Sequence, residues 1–212
     1  MKRTITILFI SMACISILKG QVDPVAKSIL DKFSSKALGA DAITLKFDMQ
    51  VLDAVEDSET NESGEIVISK DRYKLQLPGN IVWFDGTATY TLVPDVEELT
   101  ITEPDPDPES FLSRPSLLFT MYSQGYKVKM LADESDGTII DLYPEDLSTE
   151  LSRVRLNIGK DYSLKGAEYK RKDGISIFIS VKVYDLSKSY KDTFFSFDQK
   201  KYRNVDIIDM RF

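Results

Sequence analysis

The chain has no histidine among its 212 residues. That absence removes the Ser-His-Asp triad, the common imidazole metal sites and the usual side chain for proton transfer near neutrality. Cysteine is almost missing too. The one present, Cys14, lies in a segment that reads as a cleaved leader, so the remaining chain offers neither a thiol nucleophile nor a disulfide. A chain that leaves the cytoplasm without disulfides must hold itself together with its core. Basic charge is also in deficit, with 27 Lys and Arg against 34 Asp and Glu, whereas a nucleic-acid surface needs a basic patch. An enzyme built from what is left would rely on carboxylates, lysine, tyrosine or a hard cation. Acidic residues are plentiful, but nothing in their spacing selects a pair of the kind that glycosidases use. Composition therefore counts against an enzyme and against a nucleic-acid partner, and no motif calls for a metal or cofactor.

Residues 1–20, MKRTITILFISMACISILKG, begin with Lys2 and Arg3, continue in an apolar run from Ile5 to Leu18, and end on the small Gly20. This is the anatomy of a signal peptide, too short for a comfortable membrane span. Cleavage before Cys14 to give a lipid anchor is the rival reading. Against it, the apolar run continues through Ile15, Ile17 and Leu18, and Ser11 suits that cleavage poorly. Removing the leader takes away Lys2, Arg3 and Lys19. That leaves 24 basic against 34 acidic residues, a charge of −10. Residues 21–212 have the length of one domain, with no internal repeat and no linker.

Asp23-Pro24 followed by VAKSILDKFSSKAL and Gly39 predicts a helix with an aspartate cap, proline at the first position, and a glycine beyond the end. Its expected apolar stripe is Val25, Ile29 and Phe33. Strand patterns follow. ITLKFDMQVLDAV alternates Ile43, Leu45, Phe47, Met49 and Val51 with polar residues. EDSETNESG reads as a turn, and EIVISKDRYKLQLPG as a strand pair carrying Ile66, Ile68, Tyr73, Leu75 and Leu77. Asp85-Gly86 is the strongest hairpin signal in the chain. From Glu109 the pattern becomes helical again, with Leu117, Leu118, Phe119, Met121 and Tyr122, and Gly125 is placed to end it. The second block of strands includes ISIFISVKVYD, where Ile175, Ile177, Ile179, Val181 and Val183 share one face. Short turns between half-buried strands predict an antiparallel sheet. The fold class is mainly β (α+β), an incomplete antiparallel β-barrel of about 10–11 strands with helices covering the concave face.

Two features invite a chemical reading. The acidic run EPDPDPE (residues 103–109) has oxygens for calcium but lacks the ligand alternation and central glycine of a calcium loop. The run therefore reads as a solvated loop stiffened by proline rather than a calcium site. The apolar sheet face is the second. It is either a filled core or the wall of a space for something apolar, and methionine and aromatic side chains adapt to irregular apolar contents.

The succession of elements carries a resemblance. A leader, a helix containing ILDKF, then TLKFDMQV, SGEIVISKDRYKLQLPG, the Asp85-Gly86 pair with PDVEELTIT, and the ending KKYRNVDIIDMRF together resemble the periplasmic outer-membrane lipoprotein carrier (LolA-like) family of Bacteroidetes type, over essentially the whole mature chain. The resemblance implies a periplasmic chaperone that takes acylated lipoproteins from an inner-membrane ABC transporter. It would carry their acyl chains in an apolar cavity to an outer-membrane acceptor, as a monomer. By the same resemblance Phe47, Met49, Val51, Ile66, Ile68, Leu75, Leu77, Trp83, Ile177, Ile179 and Val181 line the cavity, and Leu117, Leu118 and Met121 face it from the lid. Where the family has a basic Arg-Pro step controlling the lid, this chain has Ser69-Lys70-Asp71-Arg72-Tyr73. Lys70 or Arg72 would take that role, or be surface charge. The same fold also serves sensors that bind lipid or lipoprotein without passing it on; a separate rival reading is an enzyme that acts on envelope lipid or glycan with carboxylates.

Overall fold

A computed structural model describes residues 23–104 and 113–211. The expected leader, residues 105–109 of the acidic run and the first residues of the helix expected from Glu109 lie outside the described residues. Helix α1 runs from Pro24 to Leu38, and Asp23 caps it as expected, its Oδ1 accepting from the backbone N–H of Val25 and Ala26 at 2.9 and 3.2 Å. The buried stripe is shifted from the expected one, however. Ala26, Leu30, Phe33 and Ala37 face inward, while Val25 is 54% exposed. The i, i+4, i+7, i+11 spacing of those four residues is the better helical match, but the small side chains of two alanines make the stripe inconspicuous in the sequence.

Strands β1 (Ile43–Asp53), β2 (Ser58–Ser69), β3 (Arg72–Leu77), β4 (Asn80–Phe84), β5 (Thr89–Val93) and β6 (Glu98–Thr102) form a meander. A second meander contains β7 (Tyr126–Asp133), β8 (Gly137–Pro144), β9 (Leu151–Gly159), β10 (Leu164–Arg171) and β11 (Ile175–Asp185). Antiparallel pairing of β11 with β1 joins the two. With β12 (Asp206–Asp209) the order becomes β12-β6-β5-β4-β3-β2-β1-β11-β10-β9-β8-β7 in one sheet of twelve strands, whose edges β12 and β7 are not paired with each other. The expected incomplete barrel is there. It has one strand more than the upper expectation, and that strand, β12, runs parallel to β6.

Two local departures matter for the site. The expected turn EDSETNESG is largely strand, because β2 already begins at Ser58 and pairs along the whole of β1. Its polar residues satisfy one another across the ladder: Ser63 donates to Asp48 at 2.7 Å, and Gln50 and Asn61 both donate to Glu59. In β11 the alternation breaks. Lys46 pairs with Val183 but Phe47 pairs with Val181, so Lys182 is an extra, bulged residue. Beyond it the faces swap, Tyr184 turns to the core, and Val183 is 41% exposed.

Beyond the meander, the expected second helix is replaced by two short 3-10 turns, Pro115–Phe119 and Met121–Ser123. Thr120 between them sits at φ −127, outside helical geometry, and Gly125 ends the segment at φ +76, a conformation that favours glycine. Helix α1 and these turns cover the inner face. After β11, residues 186–205 cross the outer face to the far edge as a strap. The Tyr190 and Thr44 hydroxyls are 3.2 Å apart, Phe195 is buried against Ala42 and Val67, and Phe197 and Tyr202 pack on Trp83. This crossing delivers β12 to the edge of β6.

Candidate functional site

Inside the curve of the sheet lies an apolar cavity of about 150 Å³. Its walls follow from alternation in five strands. Leu45, Phe47 and Met49 come from β1, Ile66 and Ile68 from β2, Leu75 and Leu77 from β3, Leu164 from β10 and Ile179 from β11. Pro115, Leu118 and Phe119 close it from the 3-10 turn. Gly64 stands opposite Phe47 across the β1–β2 ladder. A Cβ there would come within 2.8 Å of Phe47 Cζ and 2.7 Å of Leu77 Cδ2, so the glycine makes room for the phenylalanine ring in the wall.

An aromatic contact and a polar latch are among the contacts that hold the cover. Phe119 is fully buried, its ring 5.3 Å from that of Phe33 on α1. Tyr122 donates to Asp31 Oδ1 at 2.8 Å, and Lys27 approaches the other Asp31 oxygen at 2.8 Å. The hydrogen bond from Lys27, and then that from Tyr122, hold the Asp31 carboxyl below its ordinary value. The inner core also carries phenols. Burial pushes the Tyr73 hydroxyl up to about 12 and raises that of Tyr184 as well, whose oxygen has no hydrogen-bond partner among the described residues. Among the described residues no group of acidic or sulfur ligands is arranged to hold a metal ion, and no helix is long and apolar enough to cross a membrane.

Of the residues expected at the site, Phe47, Met49, Ile66, Ile68, Leu75, Leu77, Leu118 and Ile179 come together around the cavity. Val51, Ile177 and Val181 pack in the same inner core without reaching the cavity wall, and so does Met121. Leu117 is only half-buried, because a three-residue turn points Leu118 and Phe119 inward. Trp83 is a correction. It lies on the outer face, its ring 5.9 and 6.1 Å from those of Phe197 and Tyr202. The segment Ile81-Val82-Trp83-Phe84 is apolar on both faces, so alternation alone cannot orient it; the register puts Val82 and Phe84 inward. Arg72 is a second correction. It pairs with Asp192 at 2.8 Å and lies 5.2 Å from the Phe195 ring, so its partner is the strap rather than the cover. Lys70 occupies the β2–β3 turn, exposed and at φ +55. Leu45 and Phe119 were legible as members of the same apolar patterns, while Leu164, beside the β10 register shift at Leu164/Gly166, gave no such signal.

No protein-family model matches the chain, and no curated protein does. Among solved structures, an uncharacterized conserved protein from Thermus thermophilus aligns with a TM-score of 0.55 at 9% identity, covering 87% of this chain and 99% of that one. A LolA superfamily protein from Nitrosomonas europaea aligns at 0.44 and 13% identity, over 81% and 97% of the two chains. The lipoprotein LppX from Mycobacterium tuberculosis aligns at 0.43 and 11%, over 79% and 98%. What the Thermus protein shares with this chain is the fold.

Proposed function

We propose that the chain is a periplasmic carrier that shields the acyl chains of lipoproteins and passes them from an inner-membrane transporter to an outer-membrane acceptor. The observation that carries this reading is the cavity between the inner face and the Pro115–Phe119 turn, lined almost wholly by apolar side chains. As it stands the cavity is small. A void of about 150 Å³ takes a molecule of benzene size, so an acyl chain enters only when the cover moves. The magnitudes allow that. Burying about fifteen methylenes contributes roughly 12 kcal/mol at about 0.8 kcal/mol each. Exposing Leu118 and Phe119 costs about 3–6 kcal/mol together, at about 1.5–3 kcal/mol per side chain. The balance favours a loaded state, with the cover as a modest barrier to release. Handover then needs only an acceptor with a better apolar site, and no bond is made or broken.

Purified protein incubated with a triacylated lipoprotein in detergent-free buffer should form a soluble complex, recovered by size-exclusion chromatography and identified by mass spectrometry. Phe47→Glu and Leu118→Glu should remove the complex while circular dichroism stays unchanged. Wild-type loading in both folded variants would sink the cavity assignment. A transfer assay to outer-membrane vesicles separates the carrier from a sensor of the same fold, which would bind lipoprotein and retain it.

A further inference from the structure

The strap covers the outer face over β3 to β6 and over the Ala42, Thr44 and Val67 ends of β1 and β2. Among the described residues none covers the outer face across β9, β10, β11, β1 and the first half of β2, and there it dips into a depression of about 700 Å³. The strand registers build it from two adjacent cross-strand rows. One row reads Asn157, Gly166, Ser180, Asp48, Ser63. The other reads Arg155, Glu168, Phe178, Gln50, Asn61. Gly166 and Ser180 give the first row its depth. A Cβ at Gly166 would come within 2.7 Å of the Ile179 carbonyl oxygen, so no larger residue fits there. Phe178, half-buried, stands in the middle of the second row with polar side chains on both sides.

The chemistry of this groove is specific. Its charges are largely paired off, Asp48 with Lys182 and Glu168 with Arg153 and Arg155, so it lacks the concentrated unpaired positive charge that a phosphate or a nucleic acid requires. It has no apolar track for an acyl chain. Its floor is the middle of a sheet whose backbone groups are already paired along the ladders, so a peptide cannot add to it as an extra strand. What remains is an aromatic face among neutral amides, hydroxyls and single carboxylates. Gln50 and Asn61 each spend one amide N–H on Glu59, which leaves a second N–H and a carbonyl oxygen on each for a ligand. The aromatic ring suits the C–H face of a pyranose, and the surrounding mixture of donors and acceptors suits its hydroxyls. Five strands at about 4.8 Å give the rows a length of about 19 Å, room for several linked rings. We propose that this groove binds an oligosaccharide, independently of the apolar cavity on the opposite face.

The test is an amide chemical-shift titration of the protein with chitotetraose, and with cellotetraose as a second probe. Saturable shifts are expected at residues 48–50, 155–157, 166–168 and 178–180. Affinity should fall about tenfold, which is about 1.4 kcal/mol, in Phe178→Ala and in Asn157→Ala. Ser180→Arg fills the groove without touching the inner core and should abolish binding while lipoprotein loading is unchanged. No saturable shift with either tetrasaccharide, shifts that map elsewhere, or unaltered binding by folded Ser180→Arg would each overturn the proposal. Equal binding of a neutral tetrapeptide at the same residues would overturn it as well.

Discussion

At Gly64 and Asp141 a single residue decides how its surroundings pack. Gly64→Val would push a methyl group into Phe47 and Leu77 and bring Cβ to 3.0 Å from the Gln76 carbonyl oxygen. The two side chains can shift, but the backbone oxygen cannot. Overpacking of this kind costs about 1–3 kcal/mol, and urea unfolding should show it as a lower midpoint at unchanged slope. Asp141 is wholly buried under Arg155, which donates to both carboxylate oxygens at 2.7 and 3.0 Å, and Tyr143 donates at 2.9 Å. Burial by itself would raise its pKa. The bonds from Arg155 and Tyr143 and the charges of Arg155 and Arg153 outweigh that, and the carboxyl ends below its ordinary value. The folded value is therefore lower than the unfolded value of about 3.9. The network's contribution is complete above about pH 4 and is lost as pH falls towards the folded value. Asp141→Asn should cost about 3 kcal/mol, the low end for breaking a buried pair because Arg155 reaches solvent. Denaturation followed from pH 7 to pH 3 should show a shallower acid limb in the variant than in the wild type.

At the scale of elements, the strap and the cover are held by separate contacts. Arg72 holds the strap through an ion pair with exposed Asp192 and a stacked Phe195. Exposed pairs contribute well under 1 kcal/mol and the cation–ring contact about as much. Arg72→Ala should thus lower stability by about 1 kcal/mol in denaturant titration and leave lipoprotein loading as it was. A loading defect in that variant would return Arg72 to cover control. The cover is tied instead to α1 through Phe33–Phe119 and Tyr122–Asp31. Tyr122→Phe removes the latch while keeping the ring. It should speed the release of bound lipoprotein, measured as exchange against excess competitor, with little change in folding.

The strap and the cover sit on opposite faces of one sheet, and the whole molecule depends on both. Trp83, Leu92 and Leu99 are 3% exposed or less beneath the strap, a second core on the convex side. The chain ends by placing β12 on the edge of β6. Truncation after Val205 should leave a folded protein whose bared β6 edge drives self-association, visible by light scattering at rising concentration. Truncation after Asp185 should yield insoluble protein, because the outer core loses its cover entirely.

Alternation, turn residues and the capped helix were enough to determine the class of fold, since each is a local consequence of residue spacing. Period-two patterns in β1, β2, β3 and β11 and the apolar run at Leu118 made the apolar faces legible, and eight of the residues that the resemblance put at the cavity line it. The rest depended on contacts between segments distant in the chain. A stretch apolar on both faces, Ile81–Phe84, was oriented only by its partner strands, and the bulge at Lys182 reversed a face that the sequence showed as uniform. The strap's path, the parallel β12 and the depth of the outer groove needed the register of the whole sheet, because no local spacing encodes which face a returning chain will cross.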